Sequence, residues 1–313
     1  MASAGMSSIR RAAAERVLVV RVPSVELRRL PDHRSECVTE CLMGSRLRVL
    51  GVGEGGRWLR VLAPDGYLAW ARSWGMCDEH PLCRGAGVFV QVLASAVRAQ
   101  PRLSSAVVTP VWMGCRLGLL RASGRGWRAV ATPDGRTGWI ASRDVAADAP
   151  PERCGFWSPH PRGGPKPGTD AFRAAARAKV IGRARSLLGV PYRWGGTSAA
   201  GLDCSGLVRL VFGLEGVALP RDARDQEKAL VPWRVEIDPA RLRAGDLVFF
   251  GPGSGHADHV GLGIGGRPGR FIHGSGCVRI SGLAEADRLC ERELRARVRV
   301  VARPAYRRRY ILS

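Results

Sequence analysis

The chain reads as an α+β domain preceded by two small antiparallel β-barrels, and three observations predict that order. Residues 19–28 and 89–98 open an internal repeat with a period of about 70 residues, which continues to residue 147. A segment dense in Pro and Gly follows, from residue 148 to residue 170. Beyond it the apolar spacing is first that of helices and then, from Ala244, that of buried strands.

Composition bounds what such a chain does. Its 313 residues are 45% hydrophobic and 24% charged, which is globular material with room for more than one core. No run of about 18 apolar residues occurs, so no membrane-spanning helix is expected. The first apolar run is interrupted at Arg21 and is too short for a signal-peptide core of about 7 to 15 residues. A cytoplasmic location is the expectation for the chain as it stands, and a start farther upstream would make it secreted. The net charge of +22 is the footprint of many nucleic-acid binders. Here, however, the arginines are spread through every segment, with the densest cluster at Arg307, Arg308 and Arg309, and only Lys166, Lys179 and Lys228 are lysines. No basic stripe on a recognisable module appears, so no nucleic-acid partner is expected. The nine cysteines are an odd number with no C-x-x-C, Cys37 and Cys41 being the nearest pair. A complete disulfide framework is thereby excluded, and no metal site is expected.

The repeat sets the first barrel at residues 16–83 and the second at 84–147. MGSRLRVL from Met43 aligns with MGCRLGLL from Met113, Trp58 with Trp127, and Trp70 with Trp139, with a Pro-Asp-Gly turn between each pair of tryptophans. Short β-branched and aromatic runs between PDG and GG turns are the pattern of a small antiparallel barrel. Tyr67 follows the first PDG turn where the second copy has Arg136. His33 and His80 read as surface residues without polar partners, and His160, between two prolines, as part of the linker 148–170.

The last domain, 171–313, begins with a helix that Asp170 can cap, with Val180, Ile181, Ala184, Leu187 and Leu188 on its apolar side and a stop at Gly189 before Pro191. The next stretch, PYRWGGTSAAGLDCSGLVRLVF, delivers Asp203, Cys204 and Ser205 to the start of a second helix marked by Leu207, Val208, Leu210 and Val211. A cysteine in a first helical turn meets unpaired N–H groups and the positive end of the helix dipole, which favour its thiolate. A loop and short polar helix over ALPRDARDQEKAL lead to the buried strand AGDLVFF, and HVGLGIGG and RFIHGSGCVRI read as a further strand pair. His259 opens the first of these and His273 sits on the second, so that a hairpin can set them side by side. A Cys, a His that takes and returns the proton, and a polar group that fixes the His form the arrangement for thiol acyl transfer. His256 is a rival base but lies in a glycine-rich loop. GLGIGG at Gly261 formally matches a dinucleotide fingerprint, yet a turn at Arg267-Pro268-Gly269 follows it instead of a helix, so no dinucleotide cofactor is expected.

The blocks PYRWGG, LDCSGLV, LPRDARDQ, AGDLVFF, HVGLGIG and FIHGSG, in this order over about residues 171 to 302, closely resemble the NlpC-type cell-wall cysteine peptidases. The earlier W-x-x-V-x-x-PDG-x-x-x-W resembles the bacterial SH3-like domains appended to cell-wall enzymes. These resemblances imply a papain-like catalytic domain behind two SH3-like barrels. They imply Cys204 as nucleophile, His259 as base and acid, His273 as its orienter, and Tyr192 with the Cys204 N–H as oxyanion donors, each worth roughly 3 kcal/mol. The combination resembles the subgroup that cleaves between γ-D-glutamate and the diamino acid of muropeptides. That likeness implies Asp203 and Tyr67 as receptors of a free L-Ala amine, Ser205, Arg221 and Asp222 on the substrate side, and no cofactor. Ala223 departs from the subgroup, which often has Ser there. A secreted hydrolase of intact wall, a related thiol amidase or acyltransferase, and an inactive wall-binding protein are the alternatives. Permuted relatives place His before Cys, and the order here is Cys, His, His.

Overall fold

Alternating burial along short strands builds the N-terminal half: in SVELR the residues Val25 and Leu27 turn inward while their neighbours stay half-buried. The computed structural model describes residues 16–147 and 170–304, which divide between two compact units, Met1–Phe156 and Trp157–Ser313. The linker expected before Asp170, His160, and the Arg307–Arg309 cluster lie outside the described residues.

The first unit holds β1 Val17–Val20, β2 Ser24–Arg28, β3 Cys37–Leu42, β4 Arg46–Gly53, β5 Trp58–Leu62, β6 Leu68–Arg72 and β7 Met76–Cys77. It continues with β8 Gly87–Val90, β9 Ala94–Arg98, β10 Val107–Trp112, β11 Arg116–Gly124, β12 Trp127–Ala131, β13 Thr137–Ala141 and β14 Val145–Ala147. The two seven-stranded sheets run β3-β2-β6-β5-β4-β1-β7 and β10-β9-β13-β12-β11-β8-β14. The second order is the first shifted by one repeat, so the duplication read in the sequence is a duplication of topology. The two copies are joined through shared packing: Met43 of the first copy is buried in the core of the second, beside Val88 and Val111. His33 is exposed, as expected, with its ring centre 5.2 Å from that of Trp58, whereas His80 departs from the expectation of a partnerless surface residue. His80 is half-buried, and its Nδ1 accepts from the Leu82 N–H at 3.3 Å.

The second unit begins with α1 Asp170–Ser186, whose inward stripe is Ala176, Val180 and Ala184, with Leu187 just beyond. Leu188, expected on that stripe, is 41% exposed, because the helix ends at Ser186 and Gly189 turns the chain at φ 85°. The short pair β15 Thr197–Ser198 and β16 Gly201–Leu202 leads into α2 Cys204–Gly213. Then come α3 Ala223–Ala229, β17 Arg234–Val235, β18 Leu247–Phe250, β19 His259–Gly263, β20 Phe271–Ser275, β21 Cys277–Ser281, α4 Arg292–Ala296 and β22 Val298–Ala302. The six strands form an antiparallel sheet in the order β17-β22-β18-β19-β20-β21. RFIHGSGCVRI is therefore two strands and not one. Gly276, at φ 69°, makes the reversal, in a backbone region that side chains with a Cβ seldom occupy. Helix α2 packs across β19 and β20. Its sequence CSGLVRLVFG is buried nearly all round, as befits a helix at the centre of a core. Among the described residues no helix is long and apolar enough to cross a membrane.

Candidate active site

The loop before α2 is tied down at both ends before it reaches Cys204. The Tyr192 N–H donates to the Gly276 carbonyl at 2.9 Å, and the Asp203 N–H to the Gly196 carbonyl at 3.1 Å. Asp203 is the N-cap, accepting from the Gly206 N–H at 2.7 Å. A Cβ at Gly206 would collide with the Gly196 carbonyl oxygen, so glycine is what lets the loop close over the first turn. Cys204 thus opens the helix, 5% exposed.

The Asp203 carboxylate does more than cap. It accepts from the Gly195 N–H at 3.0 Å, from the Ser205 hydroxyl at 3.2 Å, and from both terminal nitrogens of Arg221 at 3.0 and 2.5 Å. Arg221 also donates to Ser205 Oγ at 2.9 Å. Its side chain is 2% exposed, so the expectation that Arg221 faces substrate is corrected. A guanidinium out of water needs a carboxylate, and Asp203 meets it with both oxygens. Ser205, 5% exposed, is enclosed in the same network. Asp222, the residue preceding α3, is half-buried, and burial raises its carboxyl pKa. The helix expected to be polar turns two of its polar residues inward. Gln226 donates to the Ser205 carbonyl at 3.1 Å, bracing the nucleophile turn. Glu227 accepts from the Ala257 N–H at 3.0 Å and pairs with Arg299, which also donates to the Pro252 and Gly255 carbonyls. Together they hold the glycine-rich segment that leads to His259.

Sheet register brings the histidines together. Leu262 pairs with Ile272 and Gly263 with Phe271, so His273 falls opposite Gly261, on the same face as His259 two residues away. A Cβ at Gly261 would run into the Phe271 ring, so the G-x-G pattern is a packing requirement of this sheet. His259 Nε2 lies 2.7 Å from His273 Nδ1, with the rings edge to face at 83°. Phe250 flanks His259 at 5.7 Å and Phe271 flanks His273 at 4.8 Å. His256 is exposed, and this histidine pair does not include it.

The backbone N–H groups of Val260 and Ser205 both act on the Cys204 thiol in favour of its thiolate, which places the sulfur near the first residues of β19. With Nε2 of His259 committed to His273, Nδ1 is the nitrogen left for the thiol. The helix start favours the thiolate through the Ser205 N–H, as expected. Burial, and next the charge of Asp203, push the Cys204 thiol up to about 12, outweighing the N–H donors and Arg221. Burial likewise pushes His259 down to about 4 and, with the neighbouring His259, pushes His273 down to about 3. For both groups burial works against the charged form. Tyr192 is half-buried, and burial followed by the nearby Cys204 raises its phenol to about 12, so it remains a donor. Tyr67 belongs to the first unit, where it packs against the core of the first barrel. Among the described residues no group of His, Cys, Asp or Glu has the makings of a metal site.

These shifts carry a stability consequence. An unfolded imidazole binds its proton near pH 6.5, whereas the folded values lie below it, so the unfolded state binds more protons in between. The contribution is complete above about pH 6.5 and is lost as the pH falls toward about 4. The thermal midpoint of the second unit is expected to drop across that window, and His273→Gln to flatten the drop. Calorimetry at half-unit pH steps checks this.

The sequence matches the NlpC/P60 family over residues 189–294 and the bacterial dipeptidyl-peptidase Sh3 domain over residues 27–73. It is 44% identical over 96 residues to the gamma-D-glutamyl-L-lysine dipeptidyl-peptidase of Bacillus subtilis, an alignment covering 30% of each chain. It is 28% identical over 283 residues to dipeptidyl-peptidase 6 of Lysinibacillus sphaericus, covering 84% of this chain and 90% of that one. The chain thus spans less than a third of the length of the Bacillus subtilis relative in that alignment. An NlpC/P60 family protein of Bacillus cereus shares the fold, with a TM-score of 0.72 at 21% identity over 92% of this chain and 99% of that one.

Proposed function

From the premise that this chain carries an NlpC/P60 domain behind a bacterial SH3-type domain, we propose that it is a cysteine endopeptidase of peptidoglycan-derived peptides, cleaving between γ-D-glutamate and the diamino acid. The observation that carries this is Cys204 at the first turn of α2, a helix packed across the strands that hold a His259–His273 pair 2.7 Å apart. Similarity to the gamma-D-glutamyl-L-lysine dipeptidyl-peptidase of Bacillus subtilis and to dipeptidyl-peptidase 6 of Lysinibacillus sphaericus supports the choice of bond.

In this reading the thiol proton passes to His259 Nδ1 as Cys204 Sγ bonds to the γ-carbonyl carbon, because burial disfavours a separated charge pair beforehand. The oxyanion accepts from the Cys204 N–H and from the Tyr192 hydroxyl. His259 returns the proton to the departing amine of the diamino acid, leaving a γ-glutamyl thioester. Water then attacks the thioester, His259 takes its proton, and the thiol is restored. Selection of a free L-Ala amine is assigned to Asp203. Asp203 already accepts five hydrogen bonds, so an ammonium there must share oxygens with Arg221. Small turnover peptides are the substrate pool we propose.

The test is mass spectrometry of products from defined L-Ala-γ-D-Glu-diamino acid tri- and tetrapeptides, with the L-Ala amine free or acetylated. Release of the dipeptide L-Ala-D-Glu is the expected result, with the acetylated peptides cleaved at least about tenfold more slowly, the effect of one lost charged contact. Equal cleavage of both removes the amine role, and no cleavage at the γ-glutamyl bond removes the reading.

A further inference from the structure

The histidine pair does not end at His273. On its far side, His273 Nε2 lies 3.0 Å from the Ser281 hydroxyl, and that hydroxyl donates to Glu291 Oε1 at 3.1 Å. His273 and Ser281 are 0% and 1% exposed, so neither can turn to water for a substitute partner. Glu291 is held in place from several directions. The Arg279 guanidinium meets the same oxygen at 2.8 Å, and the Glu291 N–H donates to the Gly282 carbonyl at 3.0 Å. The loop between Gly282 and Glu291 is itself clamped by a two-pronged Arg270–Asp287 pair, at 2.5 and 2.8 Å. Proceeding from the cysteine-peptidase reading above, we infer that Ser281 and Glu291 are positioning residues of the catalytic centre, completing a one-way hydrogen-bond chain from the buried dyad to a carboxylate.

Each link leaves one arrangement of protons. The carboxylate accepts only, so the Ser281 hydroxyl donates to it and presents a lone pair to His273. His273 then carries its hydrogen on Nε2 and accepts at Nδ1. His259 in turn carries its hydrogen on Nε2 and keeps a lone pair on Nδ1, where the thiol proton must go. Without the hydroxyl, His273 has no acceptor for an Nε2 hydrogen and is stabilised as the Nδ1–H tautomer. His259 would then present Nε2 as acceptor and place its hydrogen on Nδ1, facing the thiol it should deprotonate. The charges facing the pair are Asp258, Arg297, Arg279 and Asp203 around His259, and Arg279 around His273. None of these accepts a hydrogen bond from His273.

The full chain, labelled with nitrogen-15 at histidine, tests this without a peptide substrate. Two-bond nitrogen–proton spectra report each tautomer. Alkylation of Cys204 by iodoacetamide at pH 7 reports proton transfer: the sulfur–carbon bond forms, iodide leaves, and the thiol proton passes to His259. Both rings are expected to be Nε2–H in the wild type. Ser281→Ala should move His273 toward Nδ1–H and slow alkylation about 10- to 100-fold, as for other partners that orient a working histidine. Ser281→Thr should restore both, and Glu291→Gln should give a smaller change of the same sign. Unaltered tautomers and alkylation in folded Ser281→Ala, or in Glu291→Gln should the alanine variant not fold, overturn the inference. A wild type that cleaves no γ-glutamyl peptide while these variants behave as expected would instead sink the functional reading alone.

Discussion

Replacing Cys204 with Ala is expected to lower turnover of γ-glutamyl peptides by a factor on the order of 10⁴ or more, to the detection limit, while the protein stays folded. The size follows from what is removed. Without Sγ there is no thioester, and His259 has no proton to take from the nucleophile, so the histidine pair and the oxyanion donors act on nothing. The fold should survive because the cap, the Arg221–Asp203 pair and the Gln226 brace all bond groups other than this sulfur. A thermal midpoint within a few degrees of wild type, with peptide binding retained, would separate lost chemistry from lost structure. Turnover that persists in the alanine variant would mean the nucleophile lies elsewhere.

Arg221→Ala is expected to destabilise the second unit by about 3 to 5 kcal/mol, the typical cost of stripping one partner from a buried ion pair. For a domain of this size that lowers the midpoint by roughly 10 °C or more. Asp203 would be left as a buried carboxylate whose remaining donors are two backbone N–H groups and a serine hydroxyl. The double variant Asp203→Asn with Arg221→Met should lose less than the two single losses added, because no uncompensated charge remains. Thermal melts of the four proteins decide it. If Arg221 instead served substrate directly, its variants would raise KM and leave the melting temperature nearly unchanged.

The parts of the site legible in the sequence are those that act through local rules. Cys204 announces itself because a capping Asp and an apolar helical run surround it, and both signals lie within a few residues. His259 and His273 are legible as strand residues, since strand character is also local. The two barrels are legible as a repeat because the turn chemistry of Pro-Asp-Gly and the paired tryptophans recur in step. Arg221 and Ser205 read as substrate-facing because a charged or hydroxyl residue beside a nucleophile looks alike whether it points outward or inward. Gln226 and Glu227 sit in what spells a polar surface helix, and only the neighbours of α3 turn them into braces.

By itself the sequence determined the order of domains, the duplication, the helix start that carries Cys204, and the two strands that carry the histidines. Each of these depends on spacing within one element or on a motif repeated along the chain. The tertiary structure alone decided that Arg221 closes on Asp203, that burial disfavours charge on the thiol and the imidazoles, and that Ser281 and Glu291 stand behind His273. Those are matters of burial and of contacts between residues eight to eighteen positions apart. A charge or a proton is placed by whatever surrounds it in space, and chain spacing does not encode that.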